Sequence, residues 1–172
     1  MSDYPGRLGE VIETLSFAAD PADRMDLLLS FADRFRDVPP GIARRPFAEI
    51  NRVPACESEA FAWGVLQDDG TLTLHFAVEN PSGVSAKALA AILDRGLSGL
   101  PPSEAARVSP DIVYDIFRRD ISMGKGMGLM SMVRAVQVIG RQAAAAADAA
   151  ATETAGPRGA GDRGPRVFPR FR

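Results

Sequence analysis

The sequence holds a single cysteine and a single histidine, and that scarcity bounds the chemistry before any fold is considered. One thiol cannot close an internal disulfide, and it cannot alone supply a Cys-rich zinc site or hold an iron–sulfur cluster, which need several thiolates. The cysteine, Cys56, lies in "NRVPACESEAFAWGVL", residues 51–66. Thiolate is the nucleophilic form of such a group, and Pro54 with small neighbours suits a loop that keeps the sulfur reachable. The competing reading is a small buried filler, and residue type alone favours it, because unpaired cysteine is among the most often buried residues. His75 has no carboxylates grouped around it and reads as a strand residue. The glycines of "SMGKGMGLM", residues 122–130, look like a phosphate loop ahead of a helix. They match neither G-x-x-x-x-G-K-[ST] nor a G-x-G-x-x-G after a strand, so a flexible start to a helix is the expectation. No Ser/His/Asp arrangement is present, and Asp68-Asp69 falls naturally in a turn.

The elements that must carry these residues follow from periodicity. Leu8, Val11, Ile12 and Leu15 repeat at helical spacing, and Asp20-Pro21 supplies an N-cap and a first-turn proline for a second helix. Met25, Leu28, Leu29, Ala32 and Phe35 read as its apolar face, with Asp23, Arg24, Asp33, Arg34 and Arg36 mostly opposite, until "VPPG" ends it. From Phe61 the period becomes two. Phe61, Trp63 and Val65 alternate with small residues, "QDDGT" marks a tight reversal, and Leu72, Leu74, Phe76 and Val78 alternate again, which predicts an antiparallel hairpin. "EINRV", residues 49–53, is expected as a third strand, leaving "PACESE" in the connection. Three helical stretches follow, striped by Ala88, Leu89, Ile92 and Leu93, by Ile112, Val113, Ile116 and Phe117 after Ser109-Pro110, and by Leu129, Met132, Val133, Val136 and Ile139. Segregated helices and strands point to an α+β fold, a small antiparallel sheet of about three strands covered by helices, rather than to a βαβ nucleotide fold.

The chain has 172 residues, 46% hydrophobic and 24% charged, with a net charge of -2, which is ordinary globular composition with nothing that favours nucleic acid. No run approaches the ~20 apolar residues that span a bilayer, and the start has no apolar run of signal-peptide type, so no membrane association and a cytoplasmic location are expected. Residues 1–150 read as one domain, and 151–172 as a disordered Gly/Pro/Arg-rich tail that buries no core.

The stretch "NRVPACESEAFAWGV" resembles the active-site segment of the SufE family of sulfur acceptors, an Asn-x-Val-x-Gly-Cys-x-Ser-x-Val-Trp pattern leading into a strand, at Asn51, Val53, Cys56 and Ser58. "ADPADRMDLLLSFADRFRDVP" is similar to the family's helix before a Leu-Pro segment, "SAKALAAIL" with Lys87 and Leu89 to its Lys-Gly-Leu helix, and "ISMGKGMGLMSMV" to its Leu-Ser-Pro-x-Arg-x-x-Gly-Leu segment at Ser122, Gly128 and Leu129. Ala55 stands for the glycine before the cysteine, Ala60-Phe61 for Val-Trp, and Lys125 for the arginine, as in a divergent member. The resemblance implies a SufE/IscU-like fold and a sulfur carrier that is an accessory rather than a stand-alone enzyme. It implies that Cys56 takes persulfide sulfur from a SufS-like cysteine desulfurase, stimulating it, and passes the sulfur toward iron–sulfur scaffold proteins. Glu57, Ser58 and Lys125 are then the persulfide environment or partner contacts. No cofactor is expected in this chain, the pyridoxal phosphate belonging to the desulfurase. The departures leave open a desulfurase-binding regulatory module without efficient transfer, and the lone thiol leaves open a one-cysteine peroxide-reactive protein.

Overall fold

A computed structural model describes residues 4–118, 121–153 and 165–169. Helices α1 (Gly6–Phe17) and α2 (Pro21–Asp33) come first, then the hairpin of β1 (Ala60–Leu66) and β2 (Leu72–Val78). Helices α3 (Val84–Leu97), α4 (Pro102–Arg107), α5 (Ile112–Phe117) and α6 (Met123–Glu153) follow, and β3 (Arg166–Phe168) closes the described chain. The α+β class and the helix-covered antiparallel sheet are as expected. The six-residue α4 was not legible in the apolar pattern.

Leu8, Val11, Ile12 and Leu15 are the buried face of α1. The carboxylate of Asp20 accepts a hydrogen bond from the backbone N–H of Ala22 at 2.7 Å and Pro21 opens α2, the cap and first-turn proline that the sequence predicts. The face of α2 is different from the expected one. Arg24, Leu28 and Phe31 are buried, whereas Met25 and Leu29 are 54% and 40% exposed. The cause is Arg24, whose guanidinium donates to the carbonyls of Leu15, Asp115 and Ile116 near the C-terminal ends of α1 and α5. Those carbonyls have no partner within their own helices, and a cation that satisfies them is drawn inward.

The hairpin runs in register from Ala60 opposite Val78 to Leu66 opposite Leu72, with Gly70 at φ 83 in the reversal. Ala60, Ala62, Leu66, Leu72, Leu74, Phe76 and Val78 belong to the main core. A methyl group at Gly64 would stand 2.2 Å from Ile139 Cγ2, so α6 lies directly on β1. The opposite face buries Trp63 and Ala77 beneath Val38, Ile42, Ala43 and Phe47 of the loop after α2, with Phe47 edge-on to Trp63 at 4.9 Å. Arg45, paired with Asp37 and Glu79, lies 4.7 Å over the Phe47 ring.

The third strand is not "EINRV". Glu49–Asn51 forms a 3-10 turn, and Arg52 makes only an isolated bridge with Phe61. The Asn51 side chain, rather than its backbone, donates to the Ala62 carbonyl at 3.1 Å, which replaces a rung of ladder and prevents a regular strand. The third strand is β3, antiparallel to β1 in the order β2-β1-β3. Its Phe168 is 3% exposed within the main core. This corrects the reading of 151–172 as a tail that buries nothing, since Arg166–Phe168 is ordered on the sheet and α6 runs to Glu153. A β-branched residue beside an aromatic one suits a pleated surface, and β1 otherwise leaves an unpaired edge. The rest of the expected tail, residues 154–164 and 170–172, lies outside the described residues. Among the described residues no helix is long and apolar enough to cross a membrane.

Candidate functional site

Cys56 stands at the tip of the loop before β1. The Val53 N–H donates to the Ala60 carbonyl at 2.8 Å and closes the base of that loop, while the Glu59 N–H donates to the Cys56 carbonyl at 3.1 Å and turns its tip. Ala55 and Glu59, at φ 55 and 46, bracket the cysteine in left-handed backbone. The glycine that the SufE-like pattern carries at position 55 would adopt that conformation freely; alanine holds it at a cost of about 1–3 kcal/mol. On its far side the loop is tied to the chain leaving β2, where the Asn80 N–H donates to Ser58 O at 3.2 Å and the Glu79 N–H to Glu59 O at 3.1 Å.

Two helices meet the loop with their N-terminal ends. The start of α6 lies against it so closely that a methyl group at Gly128 would be 2.8 Å from Ala55 O and 3.2 Å from Cys56 Cα. Gly124, Gly126 and Gly128 therefore sit within the helix, and the glycine run serves close packing. On the other side α3 begins at Val84, and its cap residue, Gly83, brings no side-chain cap. The turn before it is held by Asn80 Oδ1, which accepts from the Ser82 N–H at 2.9 Å, and by Lys87 Nζ, which donates to Pro81 O at 3.1 Å.

Between these elements is a cleft of about 280 Å³. Cys56, Glu57, Ser58 and Lys125 all line it, so the fold brings together the four residues that the family resemblance points to. Cys56 is partly buried, which answers both readings of the thiol: it packs against the core with one side and faces the cleft with the other. The Glu57 carboxylate lies over the first turn of α6, where Oε1 would be 3.2 Å from a methyl group at Gly124. Ser58 Oγ lies against the start of α3, 3.0 Å from where a methyl group at Gly83 would stand. Two helix N-termini direct partial positive charge toward anions, and exposed Lys125 adds a full charge at the rim. Sequence reasoning did not assign Ser85 or Ala86 to the wall, or the bracing of the Asn80–Gly83 turn to Lys87. Asn-Pro-Ser-Gly ahead of a helical stripe is a turn signal that could have located that wall.

His75 lies elsewhere, on β2 opposite Trp63, where burial pushes its pKa below the ordinary imidazole value against a smaller opposing effect from Asp94. Among the described residues no group of His, Cys, Asp and Glu is arranged to hold a metal ion.

Fold and cleft together define a small α+β domain built around one presented thiol. Residues 9–139 match the family model of SufE, described as an Fe–S metabolism associated domain, and the chain belongs to the SufE family. It is 22% identical over 138 residues to the SufE-like protein 1, chloroplastic/mitochondrial, of Arabidopsis thaliana, a match covering 80% of this chain and 35% of the relative. The chain thus spans about a third of the length of that curated relative. The solution structure of a hypothetical protein from Thermus thermophilus superposes with a TM-score of 0.63 at 25% identity, over 81% of this chain and 97% of the other.

Proposed function

We propose that Cys56 is a sulfur acceptor. Its thiolate attacks the outer sulfur of a persulfide on a SufS-like cysteine desulfurase, one S–S bond forms as another breaks, and the donor leaves as a thiolate while Cys56 becomes the persulfide. Relieving the desulfurase of its persulfide stimulates turnover there, and the sulfur then passes toward iron–sulfur scaffold proteins. The pyridoxal phosphate of the desulfurase does the carbon–sulfur chemistry, and this chain contributes a thiol and its surroundings without a cofactor of its own. We place the exchange in the cytoplasm.

One observation carries the reading: the sole cysteine of a SufE-family chain sits on a loop tip in a cleft between two helix N-termini. A persulfide anion placed there meets partial positive charge from both helices. Ser58 and Lys125 supply a hydroxyl and a cation within the same walls, and Glu57 offers a carboxylate at the rim for a cationic partner group.

Incubation with a cysteine desulfurase and L-cysteine, followed by intact-mass measurement, should show a gain of one sulfur atom that is reversed by a thiol reductant. Cys56→Ser should abolish the gain while changing stability by less than about 1 kcal/mol, since the swap is nearly isosteric and the site only partly buried. Loading that survives in Cys56→Ser refutes the assignment. Stimulation of the desulfurase with no mass gain on the parent chain would mark it as a desulfurase-binding regulatory module.

A further inference from the structure

The outer edge of β1 is covered by two segments lying end to end. Toward its start, Val53 N–H reaches Ala60 O and Asn51 Nδ2 reaches Ala62 O, so the residues leading into the Cys56 loop occupy that half. Toward its end, Phe168, Val167 and Arg166 of β3 pair with Gly64, Val65 and Leu66. The two segments meet between Ala62 and Gly64, beside a groove of about 410 Å³ that has Asn51, Arg52 and Pro54 along its walls together with Pro169, and Ile139 of α6. Asn51, whose amide makes the last bond before the joint, is only 9% exposed. β3 is fixed at each of its three residues: Phe168 in the main core, Val167 against the cluster containing Phe47, Phe61 and Trp63, and Arg166 through Nη1 to Ala146 O at 3.2 Å. All of β3 lies beyond the family-matched residues 9–139.

We propose that Arg166–Phe168 is a brace that positions the Cys56 loop from behind, by holding β1 and α6 together at the joint where Asn51 anchors the loop's lead-in. The route is short. β3 pairs with Gly64, the residue on which Ile139 of α6 rests, and Ala62, whose carbonyl holds Asn51, is two residues earlier on the same strand. Loosening β3 frees the edge of β1 at Gly64–Leu66, lets the β1–α6 contact relax, and weakens the bond that fixes the lead-in. α6 also carries Gly128, so both surfaces that hold Cys56 respond together. The proposal deepens the acceptor reading, since it matters only if Cys56 must be held and released. Its test reads loop geometry alone.

The test uses the full chain with Phe168→Ala, measuring the rate at which iodoacetamide alkylates Cys56 and the hydrogen exchange of amides 51–58. Arg24→Met serves as a control destabilised at the junction of α1, α2 and α5, away from β3. Phe168→Ala should raise both rates about tenfold, while Arg24→Met stays within about twofold of the parent. A folded Phe168→Ala with rates within about twofold of the parent overturns the proposal, as does an equal acceleration in Arg24→Met, which would make the effect general destabilisation. Should Phe168→Ala not fold, Arg166→Ala, which removes the bond to Ala146 O, replaces it: about threefold faster alkylation is expected, and an unchanged rate overturns the brace. Failure of sulfur loading in the parent would strike the acceptor reading and leave these rates as they are.

Discussion

Gly128 and Ala55 approach one another across the contact that sets the position of Cys56. A methyl group at 128 would stand 2.8 Å from the Ala55 carbonyl oxygen, and α6 cannot retreat because Leu129, Met132 and Val133 are buried in the main core. The loop must therefore yield. Overpacking of this kind costs about 1–3 kcal/mol, and Ala55 is already in left-handed backbone. Gly128→Ala is expected to lower stability by that amount in a denaturant titration and to speed alkylation of Cys56, and unchanged values for both would show that the contact does not hold the loop. At this scale the sequence was partly legible. Cys56, Glu57 and Ser58 are consecutive and could be read from one motif, whereas Lys125 joins them only through the fold, and resemblance was needed to suspect it. The packing role of Gly128 was invisible, because a helix-breaking residue type carries no record of which backbone passes beside it.

Elements were read correctly wherever apolar spacing alone decides them, as in α1, the hairpin and the core stripe of α6. They were misread where a polar group takes an apolar group's place. On α2 the buried position belongs to Arg24, and periodicity assigns a charge to solvent by default. Along β1 the Asn51 amide substitutes for a strand's backbone, and the true third strand comes from three residues within a Gly/Pro/Arg-rich stretch whose composition argues against order. The Arg24 arrangement has a measurable consequence. Arg24→Met keeps the aliphatic bulk but leaves the carbonyls of Leu15, Asp115 and Ile116 without their cationic donor, near the ends of two helices. Hydrogen bonds from a charged group to buried acceptors are worth more than neutral ones, and orphaned acceptors cost desolvation, so a loss of about 2–4 kcal/mol is expected by urea unfolding. A loss below about 1 kcal/mol would mean that water replaces the guanidinium and that the clamp is dispensable.

For the molecule as a whole, one group reports on global folding near neutral pH. His75 is the chain's only histidine, half-buried on the central hairpin opposite Trp63, with its pKa lowered mainly by burial and only partly restored by Asp94. The direction fixes the sign of the linkage. Below the ordinary value of 6.5 the unfolded chain takes up the proton first, while the folded chain keeps a neutral ring until its lower pKa is reached. In that window the unfolded state binds more protons, so stability rises with pH and is lost as pH falls through 6.5 toward the folded value. Carboxylates titrate mostly below this range, which makes the imidazole the main side chain to titrate between about pH 7.5 and about pH 5.5. Urea unfolding at those two pH values should show lower stability at the acid end, and His75→Gln should remove most of the difference. Equal pH sensitivity in parent and His75→Gln would place the responsible group elsewhere. Because β2 pairs with the strand that also receives β3 and the lead-in to Cys56, a weakened hairpin loosens every surface that holds the thiol, and the acid-induced loss should be accompanied by lower amide protection at residues 51–58, relative to the intrinsic exchange rate at each pH, in the parent but not in His75→Gln.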